Sequence, residues 1–256
     1  MIHPTAIIDA SASIADDVSI GPYTVIGANV SIDSGTKINS HVTINGTTKI
    51  GKNNRIYQFS SIGEDPQDKK YAGEPSFLEI GDNNEIREFT SIHRGTTQDK
   101  NITKIGSNNL FMAYCHVAHD CVIADDVILA NAASLAGHVH IGQNVILGGF
   151  SIVHQFCQLG DHCFSAMGSA ITKDVPPFVM VGGRPTKPHG INAVGLDRRG
   201  FSKEAVLQIK RAYKTLYKSG LKLVEANEQL AVMAESQPEL QVMVDFLQNS
   251  NRGIMR

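Results

Sequence analysis

The sequence predicts a parallel β-solenoid closed by a short helical domain. Three observations predict it. Aliphatic residues recur at every sixth position through most of Ile2 to Ile171, the fifth place of each hexad is small or β-branched, and helical spacing takes over beyond residue 200. A short fixed period is the signature of a repeat architecture, in which each unit buries its apolar face only against its neighbours.

The first run is Ile2, Ile8, Ile14, Ile20, Ile26, Ile32, Ile38, Ile44, Ile50, Ile56 and Ile62. The beat returns at Ile80, Ile86 and Ile92, shifts once, and continues through Ile105, Phe111, Val117, Ile123, Leu129, Leu135, Ile141, Leu147, Val153, Leu159, Ser165 and Ile171. Helices place apolar residues three and four apart and strands alternate them, so a period of six fits neither alone. It suits a short strand followed by a bend, three of which close an eighteen-residue coil with the aliphatic pointing inward. Ala12, Val18, Thr24, Val30, Thr36, Val42, Thr48 and Ser60 hold the fifth, corner position. Coils stacked at about 4.8 Å make a prism roughly 40 Å long. Each buried aliphatic contributes about 1.5–3 kcal/mol, enough to fold without a globular core.

Two segments leave the hexad rule. Glu64 to Phe77 is polar, with two prolines and a glycine, and is expected to protrude as a loop; Thr97 to Thr103 is a shorter polar excursion. Gly182, Gly183, Pro185 and Pro188 read as a linker. From Ser202, a good N-cap, Val206, Ile209, Tyr213, Leu216 and Tyr217 keep helical spacing until Ser219-Gly220. A second helix is expected over Leu223 to Glu235, and a third from Pro238 to about Gln248. The expected organisation is therefore a β-helix over 1–190 and a helical domain over 191–256.

Composition excludes several classes. A net charge of −2 gives no support to nucleic-acid binding. No apolar run is long enough to span a bilayer as a helix. The repeat starts at Ile2 with no cationic leader before it, so the expected location is cytoplasmic. Cys115, Cys121, Cys157 and Cys163 all fall on corner positions. The pair on one edge, Cys121 and Cys157, is two coils or about 9–10 Å apart, beyond disulfide reach. The segment Asp197–Lys222 holds eight basic residues against two acidic ones in a chain that is otherwise acidic. It is either a solvated helix face or a dock for an acidic partner.

Chemistry concentrates at His116-Val-Ala-His119-Asp120-Cys121. Counting by eighteen places Gly137 beside His119 one coil on, Gln155 one coil further, His138 beside Asp120, and His154 next to Gln155. These residues should crowd one edge within about 10 Å of axial length. A histidine beside a carboxylate suits general-base work near neutral pH. The Gly137 N–H could hold a developing oxyanion. Several histidines on one edge also permit a metal site, and an exposed histidine followed by an aspartate in a turn can be purely structural. These three readings correspond to a transferase, a γ-type carbonic anhydrase-like metalloenzyme and a non-catalytic solenoid scaffold.

The blocks IYQFSSIGE (56–64), QDKKYAGEP (67–75), IHRGT (92–96), HVAHDC (116–121), LAGHVHI (135–141), VHQFC (153–157), KDVPP (173–177) and RRGFS (198–202) span nearly the whole chain. Through them the sequence resembles the hexapeptide-repeat acyltransferases. Within these it is similar to the family that moves acyl chains from acyl carrier protein to UDP-N-acetylglucosamine at the start of lipid A synthesis. The resemblance implies a left-handed parallel β-helix, a homotrimer with active sites between neighbouring prisms, and no metal or other resident cofactor, the donor being carried on the phosphopantetheine of acyl carrier protein. It implies His119 as general base, Asp120 as its orienting partner and the Gly137 N–H as oxyanion donor. His116, His138, His154 and Gln155 would line the sugar and acyl pockets, Asp68 and Lys70 would hold the acceptor, and Asn192, Arg198 and Arg199 would bind the nucleotide or the phosphopantetheine end. The chain departs from the family's pattern in two places. Val194 stands where a glutamate is usual and Asp197 where a basic residue precedes the paired arginines. Met167 occupies the acyl-chain ruler position, which is glycine in long-chain members. A methionine there should shorten the accepted chain by about four methylenes at ordinary bond lengths, giving a 3-hydroxydecanoyl-like donor. Alternatively, it packs between coils as a gap filler. The pathway's N-acyltransferase is the near rival, but it carries an N-terminal domain for which a repeat starting at Ile2 leaves no room.

Overall fold

The computed structural model describes residues 1–256 and shows three long sheets built almost entirely of two- to four-residue strands. The sheets contain nine, eight and ten strands, and neighbours within each are parallel except at one end. Successive strands visit the three sheets in turn, so the chain winds around a triangular prism. Register follows the hexads: Val117 stands beside Leu135, Leu135 beside Val153, and Val153 beside Ile171. The hexad aliphatics from Ile20 onward fill the prism, and the corner residues Val18, Thr24, Val30, Thr36 and Val42 are equally buried. Only the first turn is open, with Ile2 half exposed. Ser165, the one polar residue in the inward register, is buried but satisfied by the Ser151 hydroxyl at 2.9 Å. The four cysteines are buried and unpaired.

Each corner is a two-residue turn whose second residue takes a left-handed conformation, at φ +59° for Asp120 and +61° for His138. That conformation is uncommon for residues with a Cβ. The stacking compensates, because the left-handed residue's N–H donates to the corner one coil below, as His138 does to His119 at 3.0 Å. On the edge between the ten- and nine-stranded sheets the left-handed residues form an exposed ladder of rings: Tyr23, His41, Phe59, Phe89 and Tyr114, with centroids 4.9–5.3 Å apart.

Both excursions leave the edge between the nine- and eight-stranded sheets, in successive coils. The first joins strand Ser61–Glu64 to Phe77–Ile80 and the second joins Ser91–His93 to Ile102–Ile105. The second lies earlier than expected from sequence: it begins after His93, and Ile102 and Thr103 already pair with Phe77 and Leu78. The expected linker around Gly182–Pro188 is instead an antiparallel hairpin, Val179–Gly182 against Lys187–Ile191. A hairpin at the end of a sheet uses the same glycine and proline chemistry as a linker, so the residues alone do not separate the two.

A short helix α1 (Ala193–Arg198) follows, then α2 (Lys203–Lys218), α3 (Leu223–Ser236), a 3₁₀ turn at Pro238–Leu240 and α4 (Gln241–Asn249). Ser202 caps α2 through its hydroxyl, which accepts the Ala205 N–H at 3.0 Å. The helices share a core of Leu196, Ile209, Leu216, Leu230, Met243 and Leu247, into which the prism contributes Phe178. The chain end returns to the prism. Met255 N–H donates to the Asp174 carbonyl at 2.8 Å, and the Ser250 hydroxyl to the Asp174 carboxylate at 2.6 Å. No helix is long and apolar enough to cross a membrane.

Candidate active site

The coils carrying His119, Gly137 and Gln155 are uninterrupted, so counting by eighteen places these residues correctly. His119, Gly137, His154, Gln155 and His116 line one cleft of about 530 Å³, floored by Leu135, Ile152, Val153 and Ile171 of the nine-stranded sheet. Gln67, from the first excursion, closes one side; in the sequence its only signal is its place beside Asp68 in the QDKKYAGEP block.

Gly137 lies flat against the His119 ring. A Cβ on Gly137 would sit 2.6 Å from Cε1 and 2.8 Å from Nε2, so only glycine leaves the ring its place. As the first residue of its corner, Gly137 has its N–H bonded to no group of the protein. His119 Nδ1 faces the Asp120 carboxylate at 2.9 Å. Asp120 is buried and also accepts the Thr96 N–H at 2.9 Å and the Thr96 hydroxyl at 2.7 Å. Burial alone would raise the Asp120 carboxyl, but the bonds from His119 and Thr96 together hold it below its ordinary value. Asp120 is thus an ionised acceptor facing Nδ1 of His119, while Nε2 lies beside Gly137 on the cleft wall.

The flanking histidines differ among themselves. His116 Nδ1 is 2.7 Å from the Ser91 hydroxyl, and its ring meets buried His93 edge-on at 5.1 Å. Burial, reinforced by His119, lowers the basicity of His116. Burial also lowers His93, with its cationic and imidazole neighbours adding to the effect, to about 4. Both are neutral at pH 7. His138 shares the edge but turns to the other side of it. It meets His119 edge-on at 5.0 Å, stacks on Phe156 at 4.4 Å, and bonds Asp99 at 2.9 Å in a neighbouring polar recess with Lys100, His140 and Arg252. His138 thus lines this recess rather than the cleft that holds His119, because a left-handed corner residue projects away from its predecessor. His119, Asp120 and His138 bring one ligating atom each within 4.8 Å of one another, but both imidazole Nδ1 atoms already face carboxylates.

Other expected residues lie elsewhere in the chain. The Asp68 carboxylate accepts the Lys70 N–H at 3.0 Å, and Lys70 Nζ donates to Gln98 at 3.2 Å, tying the two excursions together. Asn192 caps α1 by accepting the Gly195 N–H at 3.1 Å and donates to the His162 carbonyl at 3.0 Å. Arg199 donates to Asn144, while Arg198 and Val194 are exposed, as is Asp197. These residues sit beside the corners at Asn144 and His162, on a different edge from His119. Met167 is 77% exposed on the aromatic edge, so it does not pack between coils.

Comparison with known proteins places the chain in a family. The family model for UDP-N-acetylglucosamine O-acyltransferase domain 2 matches residues 174–255, and the bacterial transferase hexapeptide model matches 102–137. The acyl-[acyl-carrier-protein]–UDP-N-acetylglucosamine O-acyltransferase of Thiobacillus denitrificans is 56% identical, covering 100% of this chain and 99% of its own. That of Stutzerimonas stutzeri is 54% identical at the same coverage. Among solved structures, LpxA from Acinetobacter baumannii is 52% identical with a TM-score of 0.98, covering 100% of this chain and 99% of that one. The enzyme from Moraxella catarrhalis is 51% identical with a TM-score of 0.98 and the same coverage. The solenoid is accordingly the left-handed parallel β-helix of these structures. Identity above one half along essentially the whole of both chains, on a superimposable prism and tail, means that this chain belongs to the UDP-N-acetylglucosamine O-acyltransferases, a family of hexapeptide-repeat O-acyltransferases.

Proposed function

We propose that the protein transfers an (R)-3-hydroxyacyl chain from acyl carrier protein to the 3-hydroxyl of UDP-N-acetylglucosamine, the first step of lipid A synthesis. The observation that carries this reading is the His119 ring held between the Asp120 carboxylate and the bare face of Gly137. Nε2 of His119 takes the proton of the sugar 3-hydroxyl as that oxygen attacks the thioester carbonyl. The negative charge moves to the carbonyl oxygen, where the Gly137 N–H donates to it. Collapse of the tetrahedral intermediate forms the ester and expels the phosphopantetheine sulfur, which recovers the proton from the His119 imidazolium. Asp120 stabilises that imidazolium without itself taking a proton. The scheme uses no metal or other resident cofactor.

The chemistry of the walls supports the two substrates. Ile152, Val153, Ile171 and Ala170 offer an apolar lane for an acyl chain, while His116, His154 and Gln155 offer polar contacts for a sugar. Asp68 and Lys70 hold the acceptor from the first excursion. Asn192, Arg198 and Arg199 bind the nucleotide or the phosphopantetheine of a neighbouring prism, which explains why they occupy a different edge from His119. The site is then composite and the working form a homotrimer in the cytoplasm. Met167, exposed at the far side of the nine-stranded sheet, closes the end of the acyl lane and selects a 3-hydroxydecanoyl-like donor. Val194 and Asp197 remove one carboxylate and one positive charge from the nucleotide end.

Mass spectrometry of the products from mixed 3-hydroxyacyl-carrier thioesters, offered with UDP-N-acetylglucosamine and its 3-amino analogue, tests the reading. An O-linked 3-hydroxydecanoyl product is expected. An amide product, or dependence of turnover on added zinc, refutes it.

A further inference from the structure

Arg94 stands at the base of the second excursion and is buried, although nothing in the chemistry above uses it. Its guanidinium donates to the Gly63 carbonyl and the Asp65 carboxylate, to the Tyr71 hydroxyl at 3.3 Å and to the Ser76 hydroxyl at 3.2 Å. Gly63 precedes the first excursion, Asp65 and Tyr71 lie within it, and Ser76 ends it. A single side chain therefore grips that loop at its entrance, middle and exit. Gly46, at φ +61°, lies against the guanidinium so closely that any Cβ would collide with it. The loop's remaining side-chain tie to the next excursion is the exposed bond from Lys70 to Gln98. The same loop carries Gln67 into the cleft and bears Asp68 and Lys70.

Two residues further on, Thr96 delivers both of its bonds to Asp120. The tripeptide Arg94-Gly95-Thr96 thus holds the acceptor loop from one end and the catalytic dyad from the other. Gly95 between them admits no side chain, because a Cβ there would strike the backbone of Ile102.

We propose that Arg94 is a positioning residue for the acceptor: it locks the 65–76 loop onto the catalytic edge in register with the His119–Asp120 dyad. This rests on the reading of UDP-N-acetylglucosamine as the acceptor. Four acceptors spread around a flat guanidinium need its fixed fork of donors, and a lysine ammonium cannot reach them together. Losing the lock lets the loop fluctuate, which weakens binding of the acceptor equally in the ground and transition states.

The test uses Arg94→Lys and, because a buried substitution can disturb folding, Asp65→Asn, whose side chain is largely exposed. Steady-state KM for the sugar nucleotide and for the acyl carrier protein are measured separately, together with the rate of tryptic cleavage after Lys69 and Lys70. Both variants are expected to raise the sugar-nucleotide KM about tenfold, equivalent to about 1.4 kcal/mol. The carrier KM should stay within about twofold, and turnover should recover at saturating sugar nucleotide. Cleavage in the loop should accelerate in parallel. Unchanged cleavage overturns the lock, and faster cleavage with an unaltered sugar-nucleotide KM overturns its role in positioning the acceptor. If the wild-type protein does not turn over UDP-N-acetylglucosamine, the substrate reading fails by itself, and the cleavage rates still decide whether Arg94 holds the loop.

Discussion

Replacing Gly137 with alanine tests the position of His119, the proposed general base, without removing any polar group. Gly137 has no left-handed φ, so alanine fits the backbone and keeps the N–H proposed as oxyanion donor. The new methyl would stand 2.6 Å from Cε1 and 2.8 Å from Nε2 of His119, where ordinary van der Waals contact begins at 3.4 Å. The ring must therefore retreat by roughly 0.8 Å, and its bond to Asp120 gives it no free direction to do so. A misplacement near 1 Å costs on the order of 10²-fold in rate, or about 3 kcal/mol of barrier. Steady-state kinetics with a 3-hydroxyacyl carrier protein should show kcat falling by about that factor. The thermal midpoint should change little, because Gly→Ala at a compatible site stabilises by about 0.4–1 kcal/mol through the unfolded chain, offsetting part of the local strain. A variant retaining wild-type kcat would refute the placement of His119. A variant that merely unfolds would show that Gly137 is structural.

Three other outcomes follow from the same geometry. Met167→Gly should extend the preferred acyl chain by about four methylenes; an unchanged product profile in a mixed-donor assay retires the ruler. Reversing Lys210 and Arg211 to glutamate, both exposed on α2, should raise the carrier KM about tenfold at low salt and leave the sugar-nucleotide KM alone. Equal values would mean that the two residues only solvate the helix. His93, whose burial holds it neutral with a value near 4, makes stability acid-sensitive. Well above pH 6.5 both states leave it neutral; as pH falls through 6.5 towards 4 the unfolded chain takes the proton before the folded one does, so stability is lost. Between pH 7 and pH 5 this amounts to about 2 kcal/mol, a loss that denaturant titrations should find absent in His93→Gln.

How far the site could be read from sequence depends on chain continuity. His119, Gly137 and Gln155 belong to consecutive unbroken coils, and there an eighteen-residue count is a distance measurement. Thr96 and Asp120 are twenty-four residues apart and Asp99 and His138 thirty-nine, because an excursion of irregular length intervenes. No count reaches across it, so the partners that saturate Asp120 and occupy His138 were invisible, as was the grip of Arg94 on the first loop. The direction of His138 was lost for a different reason. Periodicity assigns a residue to an edge, but the left-handed turn decides which of the two adjoining faces it serves. The helical tail was legible where caps and stops are local, at Ser202 and Ser219-Gly220. It was illegible at α1, six residues long and held by Asn192 reaching back to the His162 carbonyl.

The same contrast explains how a repeat protein carries an enzyme. Regular coils supply a rigid rule along which His119 and Gly137 cannot drift, since the carbonyl of each accepts a backbone N–H from the corner above, that of His138 and that of Phe156. A solenoid of identical corners would nevertheless hold its histidines in solvent, unpaired and unselective. Both excursions emerge from the edge that bears His119 and His138, and they bring what the repeat cannot: Thr96 to bond the buried Asp120 carboxylate, a wall at Gln67, and polar groups at Asp68 and Lys70. Rigidity comes from the period and reactivity from its interruptions. Arg94, the last prism residue before one interruption and the clasp on the other, lies where the two requirements meet.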